Sequence, residues 1–148
     1  MELVLLIGVQ ATGKSSFFFE RFRNTHLRLN LDMLKTRNRE EILLSACLAS
    51  KTKFVVDNTN PTAADRARYI GPAKAAGFSV AGYFFESKIA DVMRRNSERV
   101  DAERIPEKGI LGTYGRLEIP TRSEGFDVLH FVKIGPNGFE VEGWRDEV

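Results

Sequence analysis

An eight-residue segment, Gly8-Val9-Gln10-Ala11-Thr12-Gly13-Lys14-Ser15, matches the pattern G-x-x-x-x-G-K-[ST] at every defined position. A continuous apolar run, residues 2–7, comes directly before it and is typical of a strand buried on both faces of a parallel sheet. Directly after it, Phe18 and Phe22 lie four positions apart, which is helical spacing. The segment therefore predicts a tight strand-to-helix turn whose backbone N–H groups curl around phosphate.

The rest of the chain alternates strand patterns with helix patterns. Apolar runs and period-two alternation predict strands over residues 27–31, 53–57, 78–85 and 127–134, and a turn at 135–138 predicts an antiparallel edge strand over 139–144. Helical spacing predicts helices over residues 14–23, 40–50, 63–76 and 89–96, and a further one with Pro106 in its first turn. This order predicts an α/β fold, a parallel sheet of about five strands with helices on both faces. We expect residues 1–148 to form a single domain.

Composition and charge exclude several classes of protein. Hydrophobic residues make up 43% of the 148 residues and charged residues 28%, as in a folded protein rather than a disordered one. The longest apolar run, residues 3–9, is too short for a membrane span, and no basic segment precedes it as in a signal peptide. The single cysteine cannot form an internal disulfide. We expect a cytoplasmic protein with no membrane partner, and the sequence indicates no protein partner.

The phosphate-binding pattern implies a nucleoside triphosphate, normally ATP, and Mg²⁺ as cofactors. Lys14 is expected to meet the β- and γ-phosphates, and the Ser15 hydroxyl to bind Mg²⁺. The nucleotide-binding residues predicted in this way are Gly8, Gln10, Ala11, Thr12, Gly13, Lys14, Ser15 and Ser16. Asp57 ends a predicted strand, where a carboxylate reaches Mg²⁺ or its water shell. The alternative is that Asp57 only begins the turn before Pro61.

Asp32 follows the second predicted strand and is expected at the same edge of the sheet as the phosphate-binding segment. A carboxylate there can accept a hydroxyl proton from a phosphoryl acceptor. It can equally be the N-cap of a helix that begins at Met33, and spacing alone does not separate the two. Lys35 and Arg37 follow closely, and on spacing alone they are solvated surface charges.

Four arginines, Arg94, Arg95, Arg99 and Arg104, fall within eleven residues at the end of a predicted helix. Arginines on a mobile segment can close over transferring phosphates, because the guanidinium group matches phosphate oxygens with two hydrogen bonds. The spacing of Arg95 and Arg99 places them on one helical face. We therefore predict an arginine-bearing lid over about residues 94–106. The alternative is a surface pair between Asp91 and Arg95 in a solvated charge run.

Much of the chain resembles one family, the 5′-hydroxyl polynucleotide kinases, and within it the kinase domain of phage and animal polynucleotide kinase/phosphatase proteins. The resemblance is carried by Asp57-Asn-Thr-Asn-Pro-Thr-Ala-Ala-Asp-Arg-Ala-Arg-Tyr69, Ala73-Lys-Ala-Ala-Gly77, Asn30-Leu31-Asp32, Ile105-Pro106, Tyr114-Gly115 and Glu124-Gly125-Phe126, with the phosphate-binding segment. It implies a P-loop NTPase/kinase fold. It also implies transfer of the γ-phosphate of ATP or another triphosphate to a 5′-OH end of DNA or RNA.

The resemblance also implies roles for single residues. Asp32 matches the family's general base, and Lys35 stands where the phage enzyme has an arginine that contacts the acceptor. Arg95 and Arg99 match two lid arginines of the phage pattern, whereas Arg94 matches the animal pattern. Asn58 or Thr59 would contact the acceptor, together with Lys35 and Arg37. No D-x-D-G-T phosphatase signature is present, so we expect a kinase alone or a fragment of a longer protein.

Two other functions fit the same residues. A small-metabolite kinase of the gluconate or nucleoside type shares the phosphate-binding segment, the acid after the second strand and the arginine lid. A non-catalytic module that binds a nucleoside triphosphate would require Asp32 to be only a helix cap and the arginines to be only surface charges. Measured transfer to a panel of acceptors separates these possibilities.

Overall fold

The computed structural model describes residues 1–145, and within this range six strands form one sheet in the order β2-β3-β1-β4-β5-β6. The strands are β1 (Glu2–Ile7), β2 (Leu27–Leu29), β3 (Phe54–Asp57), β4 (Ser79–Phe85), β5 (Val128–Gly135) and β6 (Gly138–Gly143). All neighbouring pairs are parallel except β5 and β6. The predicted α/β fold is confirmed, with five parallel strands and one antiparallel edge strand.

Helices connect the parallel strands. They are α1 (Lys14–Arg21), α2 (Leu31–Leu34), α3 (Arg37–Ser50), α4 (Ala63–Ala75), α5 (Ile89–Ser97) and α6 (Glu107–Arg116), with a 3₁₀ helix at Arg122–Glu124. The start of α4 is a reciprocal cap, since the Thr62 side chain accepts from the Asp65 N–H and the Asp65 carboxylate accepts from the Thr62 N–H. That cap satisfies backbone donors that the first turn of a helix leaves open.

β1 lies at the centre of the sheet, and its alternating side chains enter two separate cores. Leu3, Leu5 and Ile7 pack on one face with residues of α3 and α4, including Leu44 and Tyr69. The intervening positions of β1 pack on the other face against α1, in a cluster that contains Phe17 and Phe18. Burial on both faces is the physical reason why the β1 sequence is continuously apolar.

Several predicted boundaries were wrong. The short helix α2 after β2 begins at Leu31 rather than at Met33, the start considered from the sequence, and α3 begins at Arg37 rather than at residue 40. Within α3, Ile42 is exposed and Leu44 is buried. Pro106 is the N-cap of α6, one position before the first turn in which it was expected. Short helices and helix starts depend on a few local hydrogen bonds, so side-chain spacing reports them poorly.

The parallel order gathers three loops at one edge of the sheet. Leu6 pairs with Asp57 and Leu29 pairs with Val56, so β1, β2 and β3 end at nearly the same level. The loops that follow these strands carry the phosphate-binding segment, Asp32 and Asn58. In open parallel sheets, ligands bind at this carboxyl edge.

The longest of the helices within residues 1–145 is α3, which has 14 residues. No helix in this range has both the length and the apolar character needed to cross a membrane.

Candidate active site

The loop between β1 and α1 forms a tight turn that positive φ angles and hydrogen bonds stabilise. Gly13 has φ 93°, a left-handed conformation that disfavours a side chain, and Ala11 also has a positive φ, 60°. The Gly8 N–H donates to the Thr59 carbonyl at 3.0 Å, and the Thr12 hydroxyl donates to the Val9 carbonyl at 2.9 Å. These contacts shape a tight turn between β1 and α1, which agrees with the predicted strand-to-helix turn.

Packing adds a second reason for glycine at position 13. A Cβ atom there would lie 2.9 Å from Cε1 of the Phe139 ring, which belongs to the β5–β6 hairpin. Real Cβ atoms essentially never approach another heavy atom this closely. The sequence pattern explains Gly13 by its conformation and by the approach of phosphate, whereas the contact with Phe139 is visible only in the folded chain.

Lys14, the first residue of α1, is only 9% exposed, and its ammonium group lies back against the loop. It donates to the carbonyl oxygens of Gly8 at 2.9 Å and Val9 at 2.7 Å. The pKa of Lys14 is lowered from 10.5 to about 8, mainly because the ammonium group is buried; the charge of Arg99 also lowers it, while Asp57 and Asp32 raise it. The site therefore holds a cation whose protonation changes near neutral pH.

Ser15 and Asp57, the two predicted Mg²⁺ ligands, are in direct contact. The Ser15 hydroxyl donates to Asp57 Oδ2 at 2.9 Å, and Asp57 is 2% exposed. Oδ1 of Asp57 accepts no hydrogen bond from residues 1–145 in the structure, so one carboxylate oxygen remains for a cation. A hydroxyl and a carboxylate suit Mg²⁺, which takes oxygen ligands and usually completes its shell with water and substrate phosphates.

Ser15 and Asp57 are the two residues that the sequence predicts as Mg²⁺ ligands. Within residues 1–145 no group of three or more His, Cys, Asp or Glu side chains has the arrangement of a metal site. Mg²⁺ held by Ser15 and Asp57 would therefore need further oxygen ligands, from water or from a bound nucleotide.

The structure decides between the two interpretations of Asp32 that spacing left open, because the N-cap of α2 is Asn30. The Asn30 side-chain oxygen accepts from the Met33 N–H at 3.0 Å, and its amide donates to the Asp57 carbonyl at 2.6 Å. Asp32 instead lies in the first turn of α2 and is exposed. The interpretation of Asp32 as a cap was therefore wrong, and its carboxylate is available to a ligand.

A buried carboxylate that the sequence did not indicate, Glu40, holds the neighbouring residues in place. Glu40 is 2% exposed and accepts hydrogen bonds from Arg37 at 2.9 Å, the Tyr69 hydroxyl at 2.8 Å and the Asn58 amide at 3.0 Å. The Asn58 side-chain oxygen in turn accepts from the Leu31 N–H at 2.9 Å. Burial and Glu40 raise the pKa of Tyr69, so its hydroxyl stays protonated as a donor.

A cavity of about 330 Å³ lies at this edge of the sheet. It brings together residues from all three loops and from the arginine-bearing segment. The predicted site residues that line it are Gln10, Ala11, Gly13, Lys14, Ser15, Ser16, Asp32, Asp57, Asn58, Thr59 and Arg99. Gly8 and Thr12 are buried in the loop beneath it.

A second cavity of about 390 Å³ adjoins the first, since Leu31, Asn58 and Thr59 line both. Arg37 and Arg116 line this second cavity. Lys35 lines neither of the two and is exposed at the end of α2, with φ 76°. The predicted acceptor residues therefore separate into Asn58 and Thr59 between the cavities, Arg37 in the second, and Lys35 outside both.

The arginines of residues 94–106 have different surroundings. The predicted surface pair was wrong in its partner, because Asp91 lies 3.8 Å from Arg94 and not beside Arg95. Arg95 donates to the Ala11 carbonyl at 3.1 Å. Arg99 lies beyond the end of α5, so the prediction that it shares a helical face with Arg95 was wrong. Of the four arginines, Arg99 is the one that lines the first cavity.

The sheet order, the loop and the cavity together define a P-loop kinase-like domain. The family model of an AAA domain matches residues 31–116, more than half of the chain, and the chain belongs to this family. The P-loop itself precedes the matched range.

The chain is also similar to one curated relative and, in its fold, to two solved structures. Over 129 residues, 84% of the chain, it is 27% identical to a bifunctional polynucleotide phosphatase/kinase of Schizosaccharomyces pombe, and it spans 32% of that relative's length. It superposes with a TM-score of 0.63 and 18% identity on a gluconokinase of Sinorhizobium meliloti, covering 88% of this chain and 82% of that one. It superposes with a TM-score of 0.62 and 16% identity on Chaetomium thermophilum Kti12 in complex with ADP-AlF3, covering 88% of each.

Proposed function

We propose that this chain is an ATP-dependent kinase that phosphorylates the 5′-hydroxyl end of a nucleic acid. The observation that carries the proposal is the match with the yeast polynucleotide phosphatase/kinase over 84% of the chain. The residues that carry the family resemblance agree with it, since they include Asp32 and Asn58 at the cavity wall. The proposal concerns a region that spans about a third of that relative.

The nucleotide is proposed to bind at the P-loop, with its β- and γ-phosphates over the first turn of α1. Lys14 supplies a positive charge there, and the N-terminus of α1 adds the positive end of its dipole. Ser15 and Asp57 would hold Mg²⁺, which when bound neutralises charge on the phosphate oxygens. Because the loop and its hydrogen bonds already exist, little reorganisation is needed when phosphate arrives.

The acceptor hydroxyl is proposed to lie beside Asp32. Asp32 lines the same cavity as Lys14, and within residues 1–145 its carboxylate forms neither a hydrogen bond nor an ion pair in the structure. A free carboxylate at this place can orient the hydroxyl and accept its proton as the bond to phosphorus forms. Asn58 and Thr59 provide polar contacts where the two cavities meet, so that an acceptor longer than one nucleotide can continue toward Arg37.

Arg99 is proposed to contact the transferring phosphate. It lines the cavity, and its charge is close enough to Lys14 to lower the pKa of that residue. Arg95 is proposed to hold the loop instead, because its guanidinium group bonds to the Ala11 carbonyl. Catalysis would then rest on positioning and on charge neutralisation, as in other phosphoryl transfers.

A kinase for a small hydroxylated metabolite is the second candidate. The gluconokinase of Sinorhizobium meliloti has the same fold, and the first cavity alone has room for a small acceptor. In that case the second cavity and Arg37 would have no role in the reaction.

The test is an acceptor panel with the full chain, labelled ATP and Mg²⁺. The acceptors are a 5′-OH oligodeoxynucleotide, a 5′-OH oligoribonucleotide, gluconate and a nucleoside, and Asp32→Asn serves as the matched control for contaminating kinases. We expect label on one or both oligonucleotides and none on gluconate. Label on gluconate or the nucleoside with silent oligonucleotides would replace the proposal with the second candidate. Nucleotide binding without any transfer would identify a non-catalytic module.

A further inference from the structure

Arg28, on β2, is a charged residue that the function proposed above does not use. Its Nε–H donates to Asp57 Oδ2 at 2.9 Å, and Nη2 lies 2.8 Å from the same oxygen. Nη2 also donates to the Ser15 hydroxyl oxygen at 3.0 Å. One guanidinium group therefore contacts both side chains that are proposed to hold Mg²⁺.

The position of Arg28 is fixed from a second side. Its Cζ atom lies 5.1 Å from the centre of the Phe19 ring and 5.7 Å from that of Phe18, so the rings of α1 attract the cation. The side chain is 19% exposed. Arg28 does not line the first cavity although Ser15 and Asp57 do, so it meets these two residues from outside the cavity.

The contacts of Arg28 fall on one oxygen of the Asp57 carboxylate. Oδ2 is taken by Arg28 and Ser15, while Oδ1 accepts no hydrogen bond from residues 1–145 in the structure. A second cation at Oδ1 would share the single negative charge of Asp57 and would be repelled by a guanidinium group that the surrounding protein screens poorly.

We propose that Arg28 is a built-in counter-ion of Asp57 that weakens Mg²⁺ binding at Ser15 and Asp57, so that Mg²⁺ is retained only together with nucleotide phosphates. This inference rests on the Mg²⁺–nucleotide site of the proposed function but not on the identity of the acceptor. Arg28 neutralises the negative charge of Asp57, and the phosphates of a bound nucleotide would supply new negative charge for Mg²⁺. The free protein therefore keeps a neutral Arg28–Asp57 pair instead of a buried anion.

When Arg28 is replaced, a purely structural role and a role in weakening Mg²⁺ binding predict opposite changes in Mg²⁺ affinity. If Arg28 only orients Asp57, its removal disorders a metal ligand and Mg²⁺ binds more weakly. If Arg28 competes with the metal, its removal leaves Asp57 with its full charge and Mg²⁺ binds more tightly. The sign of the change in Mg²⁺ affinity therefore separates the two roles.

The experiment measures binding of a fluorescent ADP analogue to the full chain as Mg²⁺ is raised from EDTA-treated buffer. Arg28→Met keeps an unbranched, shorter side chain but removes the charge, and Arg28→Lys keeps the charge. We expect the Mg²⁺ concentration at half-saturation to fall roughly fivefold in Arg28→Met, as for a partly screened charge pair. Arg28→Lys is expected to stay near wild type. An equal or higher midpoint in Arg28→Met overturns the inference.

Thermal melting without nucleotide provides the readout that does not depend on ADP. Arg28→Met leaves the Asp57 carboxylate buried without its cation, which destabilises the fold, and Mg²⁺ is expected to raise its melting temperature more than that of wild type. The double variant Arg28→Met with Asp57→Asn removes both charges and is expected to fold without any response to Mg²⁺. If Arg28→Met gains no more from Mg²⁺ than wild type, or does not fold even in Mg²⁺, the inference is overturned.

The wild-type titration separates this inference from the proposed function. If wild-type protein binds the ADP analogue equally well with and without Mg²⁺, the Mg²⁺–nucleotide site itself is wrong and the inference falls with it. If wild type requires Mg²⁺ and Arg28→Met does not lower the midpoint, only the role of Arg28 is wrong.

Discussion

The phosphate cradle, residues 8–15 with Asp57, and the arginine segment, residues 94–106, face the same cavity but are built differently. In the cradle, Lys14 and Asp57 are buried and bonded to neighbouring loop or side-chain atoms. In the arginine segment, Arg104 is exposed and bonds mainly to carbonyl groups of its own segment, those of Ser97 and Arg99. The side chains of the cradle are therefore held by buried contacts, whereas the mobility of the arginine segment as a lid stays a prediction.

The cradle packs against the two helices that flank the arginine segment, α5 and α6. Val9 and Ala11 of the cradle pack with Val92 of α5 and Ile110 of α6 in a small core of their own. The Gln10 amide donates to the Thr113 hydroxyl of α6 at 3.1 Å. A segment anchored at both ends and exposed in the middle is suited to closing over a ligand. The comparison predicts that mutations in the cradle abolish transfer, whereas mutations in the segment reduce it in proportion to their contact with phosphate.

The largest effect is expected from Lys14→Ala in the cradle. It removes the positive charge beside the β- and γ-phosphates, and turnover should fall to the background of the assay. Because the Lys14 ammonium group bonds to loop carbonyls and not to the side chains of the core, the melting temperature should change little. Labelled-ATP transfer and thermal melting check both statements. Normal turnover would remove the cradle from the mechanism.

Asp32→Asn should lower transfer roughly 10²- to 10⁴-fold, the usual cost of removing a general base. The amide has almost the same shape, and Asn30 caps α2, so Mg²⁺–ADP affinity and melting temperature should stay near wild type. Single-turnover transfer measures the rate. Asn30→Ala is the contrasting variant, since it removes the cap and should lower the melting temperature. Near-normal transfer by Asp32→Asn would direct the search for the base to Asp57.

The arginine segment is tested by comparing Arg99→Ala with Arg95→Ala. Arg99 lines the cavity, and its loss should cost roughly 10²-fold in turnover, as for one donor to a developing charge. Arg95 bonds to the loop, and its loss should cost less than about tenfold. Arg94→Ala is the matched control, because its surface pair with Asp91 should contribute little. A larger loss for Arg94 or Arg95 than for Arg99 would contradict the proposed phosphate contact.

The smallest effect concerns pH. The pKa of Lys14 is lowered to about 8 in the ligand-free protein, so nucleotide affinity should fall by up to about tenfold per pH unit above pH 8 as the ammonium group loses its proton. Lys14→Arg stays charged and should show no such fall. Because the unfolded chain holds this proton up to about pH 10.5, the free energy of unfolding contributed by Lys14 rises between pH 8 and 10.5. ADP titrations and denaturant unfolding over this range provide the two measurements.

The sequence predicted those features whose residues are close together in the chain. The P-loop is one continuous segment, and Thr62 and Asp65 cap α4 over three residues, so both features are visible in sequence. Asp32 was placed at the correct edge of the sheet because strand ends of a parallel sheet meet there. Whether it was a cap or a free carboxylate was decided by the start of α2, where the Asn30 side chain accepts from the Met33 N–H while its amide is held by the Asp57 carbonyl, 27 residues away.

Buried charges were the part that the sequence could not indicate. Glu40 bonds to Tyr69, 29 residues away, and Arg66 bonds to Glu124, 58 residues away, while Arg28 bonds to Asp57 at a separation of 29. Charged side chains such as those of Glu40, Arg66 and Arg28 usually lie on the protein surface. Each is buried or half-buried here only because an opposite charge or several hydrogen-bond partners surround it in the folded chain.

The sequence by itself determined the α/β class, the place of the phosphate-binding turn and the edge of the sheet where the site lies. These follow from hydrophobic periodicity and from turn chemistry, which act over a few residues. Only the tertiary structure decided which charges face the cavity, that Arg28 contacts Asp57, and that Arg99 rather than Arg95 lines the site. Those features depend on distances between residues that are far apart in the chain, and such distances are set by the packing of the sheet and helices.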